Sequence, residues 1–281
     1  MGQGHSRPKP GTKFRVIGAG MSRTGTKTFA QALETLIGPV HDGGAEGLVG
    51  TAEVRKRWIE VMELATKKDK TLPEKKRLEW LLAELMEGYS ATVDAPCIWL
   101  VPELLELYPD AVVIATTRDK ESWWKSAQTI SSVVDWPWLP FFARPLPVLN
   151  SFVTWGPLVE RTCVSHLGFK GFQCAEVLET HEAFLRRVVP PEKLFFYRVR
   201  DGWGPLCEML KLPVPAQPFP HNNKPEDVKM VGRIVVAVGS VAWGVVLGGA
   251  VTCTWVAWRL GSTMLSKMGN GGLLKLLDTI R

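Results

Sequence analysis

No two cysteines in this sequence are spaced as C-x-x-C; the five present, Cys97, Cys163, Cys174, Cys207 and Cys253, are scattered and odd in number. No histidine stands at zinc-ligand spacing from a cysteine pair, so zinc modules and disulfide frameworks are excluded. The cysteines read as reduced, mostly buried thiols, and no metal is expected. Met1–Lys13 lacks the apolar core of a secretory signal, so the main domain is expected to be cytosolic. No internal repeat occurs, and no Lys/Arg block is interleaved with aromatic residues. The formal net charge of +6 over 281 residues is a mild bias. It suits an anionic ligand or lipid surface and gives no reason to expect nucleic acid.

What is present is the composition of a folded protein, 46% hydrophobic and 22% charged, long enough to bury a substantial core. The texture of the chain changes along its length. Residues 1–12 are rich in Gly and Pro and basic, and read as a flexible arm. Residues 13–223 mix short apolar runs with amphipathic helical stretches and read as one domain, with 224–233 as a linker. Residues 234–258, Ile234 to Trp258, contain no charged side chain. That stretch exceeds the ~20 residues needed to cross a bilayer core of ~30 Å. Arg233 and Arg259 bracket it, and Trp255 and Trp258 fall where an aromatic belt forms. A single-pass transmembrane helix in a lipid bilayer is expected, followed by a tail over 259–281. The opening Met-Gly-Gln-Gly-His-Ser also fits the pattern for myristoylation of Gly2.

Within the domain, Phe14–Ile17 is a β-branched run, followed by a glycine-rich loop and a helical pattern at Phe29, Ala32, Leu33 and Leu36. A helical region over 52–87 is interrupted near Pro73. Short strands are expected at Ala91–Asp94, Ala111–Thr116 and Leu194–Val199, alternating with helices at Val101–Leu107, after Asp119 and at Glu176–Val188. The alternation predicts an α/β fold of three layers, a parallel sheet flanked by helices on both faces. Ligands of such folds sit at the carboxyl ends of the strands. Between these elements, Val133–Leu158 holds Trp136, Trp138, Phe141, Phe142, Phe152 and Trp155 among several prolines. The prolines argue against regular helix there and for a rigid aromatic loop system, either a lid over a greasy ligand or an edge that dips into the bilayer.

Two loops carry chemistry. In Gly18–Thr28, Gly20 and Gly25 permit a tight turn, backbone N–H groups from Ser22 to Thr28 converge on an anion, and the next helix adds its positive end. Arg23 and Lys27 supply charge, and Thr24, Thr26 and Thr28 supply hydroxyls. The loop is neither a Walker A motif nor a dinucleotide fingerprint, since Arg23 replaces the last glycine of G-x-G-x-x-G. The second loop runs from Thr116 to Ser126. Arg118 leaves a buried strand, Asp119 caps the next helix, and Ser126 lies two turns in, a combination suited to a second phosphate.

These segments resemble the sulfotransferases of P-loop fold that use 3′-phosphoadenosine 5′-phosphosulfate, in particular a subgroup common in fungi and other eukaryotes. The matching stretches are VIGAGMSRTGTKTFAQALE, GYSATVDAPCIWLVPELLELYPDAVVIATTRDKESWWKS and KLFFYRVRDGWGPLCEMLKLPVPAQPFPHNN. The resemblance implies that Ser22, Arg23, Thr24, Gly25, Thr26, Lys27 and Thr28 grip the 5′-phosphosulfate, and that Arg118 and Ser126 hold the 3′-phosphate. The chain departs from well-studied members at two places: Arg23 stands for a lysine, and Asp94, in Asp94-Ala-Pro96, stands for a catalytic histidine. The candidate general base is therefore Asp94, with His41 second and His181 last, and Arg23 assists the leaving group. A lipophilic small-molecule acceptor fits the membrane helix. The rival reading keeps the phosphate cradle for a prenyl diphosphate whose departure it would aid, with aromatic faces stabilising cations; a non-catalytic phosphate-binding protein is the third.

Overall fold

The structure, a computed structural model, describes residues 6–45, 50–134, 136–146, 150–168, 173–221 and 226–267. Gly2, with its expected lipid, and the last part of the tail lie outside the described residues.

Five short segments become parallel strands: β1 (Val16–Gly18), β2 (Val40–Asp42), β3 (Ala91–Val93), β4 (Val112–Thr116) and β5 (Leu194–Tyr197). Their order is β2-β3-β1-β4-β5, with Val16 in register with both Ala91 and Val112. β1, β3 and most of β4 are buried, as expected for strands covered on both sides. One face is covered by α1 (Thr26–Ile37) and α9 (Trp203–Leu210), through Phe29, Leu33, Leu206 and Leu210. The other carries the larger core. It draws on α2 (Ala52–Ala65), α3 (Leu72–Met86), α4 (Val101–Leu107), α5 (Lys120–Val134), α7 (Asn150–Leu167) and α8 (Glu176–Val188). This is the three-layer α/β fold expected.

The helix boundaries follow local chemistry. Thr51 accepts a hydrogen bond from Val54 N at the start of α2. Thr71 and Glu74 form a capping box on α3, which places Pro73 in the first turn, where its missing N–H costs nothing. Asp119 Oδ1 accepts from Ser122 N and starts α5.

Three expectations are corrected. Most of Val133–Leu158 is helical: α5 runs to Val134, α6 covers Leu139–Ala143, and α7 carries Pro157 inside it. Pro140 falls in the first turn of α6, where proline is tolerated, and tertiary packing carries α7 past Pro157. Residues 6–12 are not a free arm. Lys9 N donates to Gly88 O (2.8 Å), and Ser6 Oγ bonds Glu34 Oε1 (2.7 Å) and accepts from Val40 N. The described part of the linker is helix as well, because a single helix, α10, spans Glu226–Lys267. Its start is supported by packing: Gly232 lies against Val133, and Val235 is buried with Leu139 and Ala143. Within α10, Gly232–Met264 has the length and composition to cross a membrane, and it is almost wholly exposed.

Candidate active site at the carboxyl edge of the sheet

The strand order reverses around β1, so the loop after β1 lies between the ends of β3 and β4, where α/β folds bind ligands. Two glycines let it sit there. A Cβ on Gly20 would fall 1.9 Å from Thr116 Oγ1, and Gly25 has φ 105° and touches Val199 beyond β5. Arg23 also adopts positive φ, at 74°.

From this loop Ser22 Oγ donates to Asp94 Oδ1, tying the end of β3 to the turn. Ala95 N donates to the same oxygen at 2.8 Å. Desolvation around the Asp94 carboxyl raises its pKa above the usual carboxylate range, while the Ser22 and Ala95 hydrogen bonds and the positive charges of Lys27 and Arg23 pull the other way. Arg23 Nε donates to Ser126 Oγ at 3.1 Å, so the β1 loop and the start of α5 meet. Trp123 Nε1, also from α5, donates to Ser22 O at 3.0 Å. Sequence reasoning missed Trp123; only its place one turn before Ser126 could have hinted at it.

The other expected residues divide. Thr26, Lys27 and Thr28 form the first turn of α1, which has no side-chain cap and no acidic residue of its own, so its positive end is not offset from within the helix. Arg118 is exposed at the end of β4 and has no hydrogen-bond or ion-pair partner among the described residues. Thr24 is not presented to a ligand. Its N–H and hydroxyl both bond Met21 O, and the hydroxyl also meets Thr116 Oγ1 at 2.5 Å, because it is buried beneath the turn. His41 is also turned away. Its ring packs between Trp58 and Tyr89, neither ring nitrogen has a hydrogen-bond partner among the described residues, and burial pushes its pKa down to about 3. His181 is buried on α8, where Nε2 donates to Ala19 O (2.7 Å) and burial pushes its pKa to about 4. It holds the base of the loop.

The arrangement is thus one part-buried carboxyl, two nearby cations, a helix N-terminus without a side-chain cap and an exposed guanidinium, at the carboxyl ends of the strands. Residues 15–228 match the family model described as a sulfotransferase domain. The chain belongs to the sulfotransferase family. Ava biosynthesis cluster protein M of Aspergillus versicolor is 32% identical to this sulfotransferase-family chain over 220 residues, 74% of the chain and 80% of that protein. Among solved structures, sulfotransferase STF9 from Mycobacterium avium aligns with 80% of the chain and 68% of its own, at 14% identity and a TM-score of 0.36.

Proposed function

We propose that this sulfotransferase-family chain moves a sulfuryl group from 3′-phosphoadenosine 5′-phosphosulfate to a hydroxyl of a lipophilic small molecule, while α10 holds it in a membrane. The observation that carries this reading is the Asp94 carboxyl fastened by Ser22 to the glycine-rich turn, within the field of Arg23 and Lys27. The uncapped first turn of α1 and the exposed Arg118 fit a donor with phosphates at two places.

The donor supplies an activated sulfuryl group: the acceptor oxygen forms a bond to sulfur, the bond from sulfur to the 5′-phosphate oxygen breaks, and the electron pair leaves on the bisphosphate. Asp94, ionised, takes the acceptor's hydroxyl proton. Its raised pKa makes it, once ionised, a stronger base than a solvated carboxylate. Arg23 and Lys27 stabilise negative charge that grows on the departing phosphate, and the N–H groups of α1 add fixed dipoles. Arg118 and Ser126 hold the second phosphate. A small-molecule acceptor is supported by the fungal relative, whose name assigns that protein to a biosynthesis cluster.

The diphosphate-ionising alternative called on aromatic faces. Trp136 stacks on Phe142, Phe142 meets Phe141 edge to face, and Phe141 stacks on Trp243 of α10, so these rings pack along α10 rather than around the Asp94 site, which leaves that alternative the weaker. The test is incubation of the full-length protein with sulfur-labelled donor and a panel of sterols, phenols and long-chain alcohols. Label should appear in an acceptor and should vanish with Asp94→Asn; no transfer to any hydroxyl, together with release of pyrophosphate from a prenyl diphosphate, contradicts the proposal. Membrane attachment is tested by alkaline carbonate washing, which should leave the full-length chain in the pellet.

A further inference from the structure

The short helix α6 and the turn that leads into it, Trp136–Trp138, carry large aromatic side chains that the domain does not cover. Trp138 is 61% exposed, Phe141 45% and Trp136 36%. Arg144 stands exposed at its end. The opposite side of α6 is fixed to α10. Leu139 and Ala143 bury Val235, and a Cβ on Gly239 would lie 2.2 Å from Phe142 O. One turn further, Trp243 Nε1 donates to Phe141 O at 2.8 Å and its ring stacks on Phe141 with centroids 4.9 Å apart.

The position of these contacts along α10 determines what covers α6. At 1.5 Å per residue, a bilayer core of ~30 Å takes up roughly 20 helical residues. Trp258 and Arg259 mark the far boundary, where Arg259 lies over the Trp255 ring, 5.0 Å from its centroid. Counting back about 20 residues from Trp258 reaches Gly239, the residue pressed against Phe142. The near boundary of the hydrocarbon therefore falls at the level of α6 itself. Exposed Trp and Phe beside an Arg is the composition that partitions into the headgroup zone, with rings among the upper acyl chains and a guanidinium at the phosphates.

We propose that α6 is a second membrane contact, an interfacial helix that seats in the near leaflet and, being locked to α10, fixes the height and orientation of the domain over the bilayer. The proposal rests on reading α10 as a transmembrane span. It has a consequence for the acceptor. Val133, at the far end of α5, touches Gly232, and Ser126 stands only about 10 Å back along the same helix. The site then lies close above the leaflet surface, within reach of an acceptor whose apolar part stays in the lipid.

The experiment is spin-label depth measurement on the full-length chain in phosphatidylcholine/phosphatidylserine vesicles. Cys174→Ser and Cys253→Ser remove the cysteines that are not fully buried. Single labels are then placed by Trp138→Cys and Pro140→Cys on α6, Leu247→Cys in the span and Lys75→Cys on α3. Oxygen and a water-soluble nickel chelate serve as competing relaxants. The expected result is a deep signal at 247, an aqueous one at 75, and at 138 and 140 chelate access several-fold lower than at 75, with oxygen access raised. Aqueous signals at 138 and 140 with a deep 247 overturn the interfacial helix and leave the span standing. An aqueous signal at 247 overturns the span, and the proposal with it.

Discussion

Arg23 Nε donates a 3.1 Å hydrogen bond to Ser126 Oγ, joining two loops that lie 103 residues apart in sequence. The contact brings together two loops that the sequence presents apart. Arg118, at the end of β4, stays exposed beside them.

Arg118→Ala should weaken binding of adenosine 3′,5′-bisphosphate by about tenfold or more, since a charge-assisted contact contributes roughly 1.5–3 kcal/mol. Ser126→Ala removes a neutral hydroxyl and should cost less. Thermal stability should barely move for Arg118→Ala, because the side chain is exposed. Titration calorimetry decides it, and unchanged affinity in a folded Arg118→Ala protein speaks against this phosphate site.

Asp94→Asn should lower the rate by ~10²–10⁴ while raising thermal stability at neutral pH. The sign follows from its raised pKa: between the unfolded and folded values the folded state holds the extra proton, so ionisation on rising pH costs stability. The amide cannot ionise and escapes that cost. Wild-type activity should fall as pH drops through the raised value. A rate held at the wild-type level removes Asp94 from catalysis.

His41 titrates in the opposite sense. Its folded pKa is about 3 and its unfolded value about 6.5, so the unfolded chain takes up the proton first. Stability should be fully present above pH ~6.5 and decline progressively toward pH ~3, by an amount on the order of several kcal/mol. His41→Phe should flatten part of that acid limb in melting experiments and leave donor binding intact. Loss of transfer activity with unaltered folding would instead return His41 to the list of bases.

His181→Ala should lower stability by roughly 1–3 kcal/mol, since it opens a buried space and strips Ala19 O of its donor. His181→Gln should recover part of this. Melting temperature and bisphosphate affinity should fall together, because the base of the β1 loop is what His181 holds.

Much of this was legible in the sequence because it is local. Four short apolar runs became β1, β3, β4 and β5, while the polar β2 was not among the strands expected, and Asp119 capped α5 as its side chain dictates. The carboxyl-edge loops then followed from the fold class. What was not legible depends on tertiary contact. Nothing local tells whether Thr24 faces a ligand or Thr116, and His41 reads equally as a base or as a ring packed on Trp58. The prolines of Val133–Leu158 argued for loop, yet Pro140 sits harmlessly at a helix start and α7 runs through Pro157. The length of α10 was underestimated because its start is supported by packing of Gly232 on Val133 and of Val235 with Leu139 and Ala143, contacts between segments about 100 residues apart.

The most direct test is equilibrium binding of adenosine 3′,5′-bisphosphate to the full-length protein, set against a prenyl diphosphate of equal concentration. The account predicts saturable bisphosphate binding that raises the melting temperature and is weakened about tenfold or more in Arg118→Ala. A chain that ignores the bisphosphate but is stabilised by the prenyl diphosphate contradicts it.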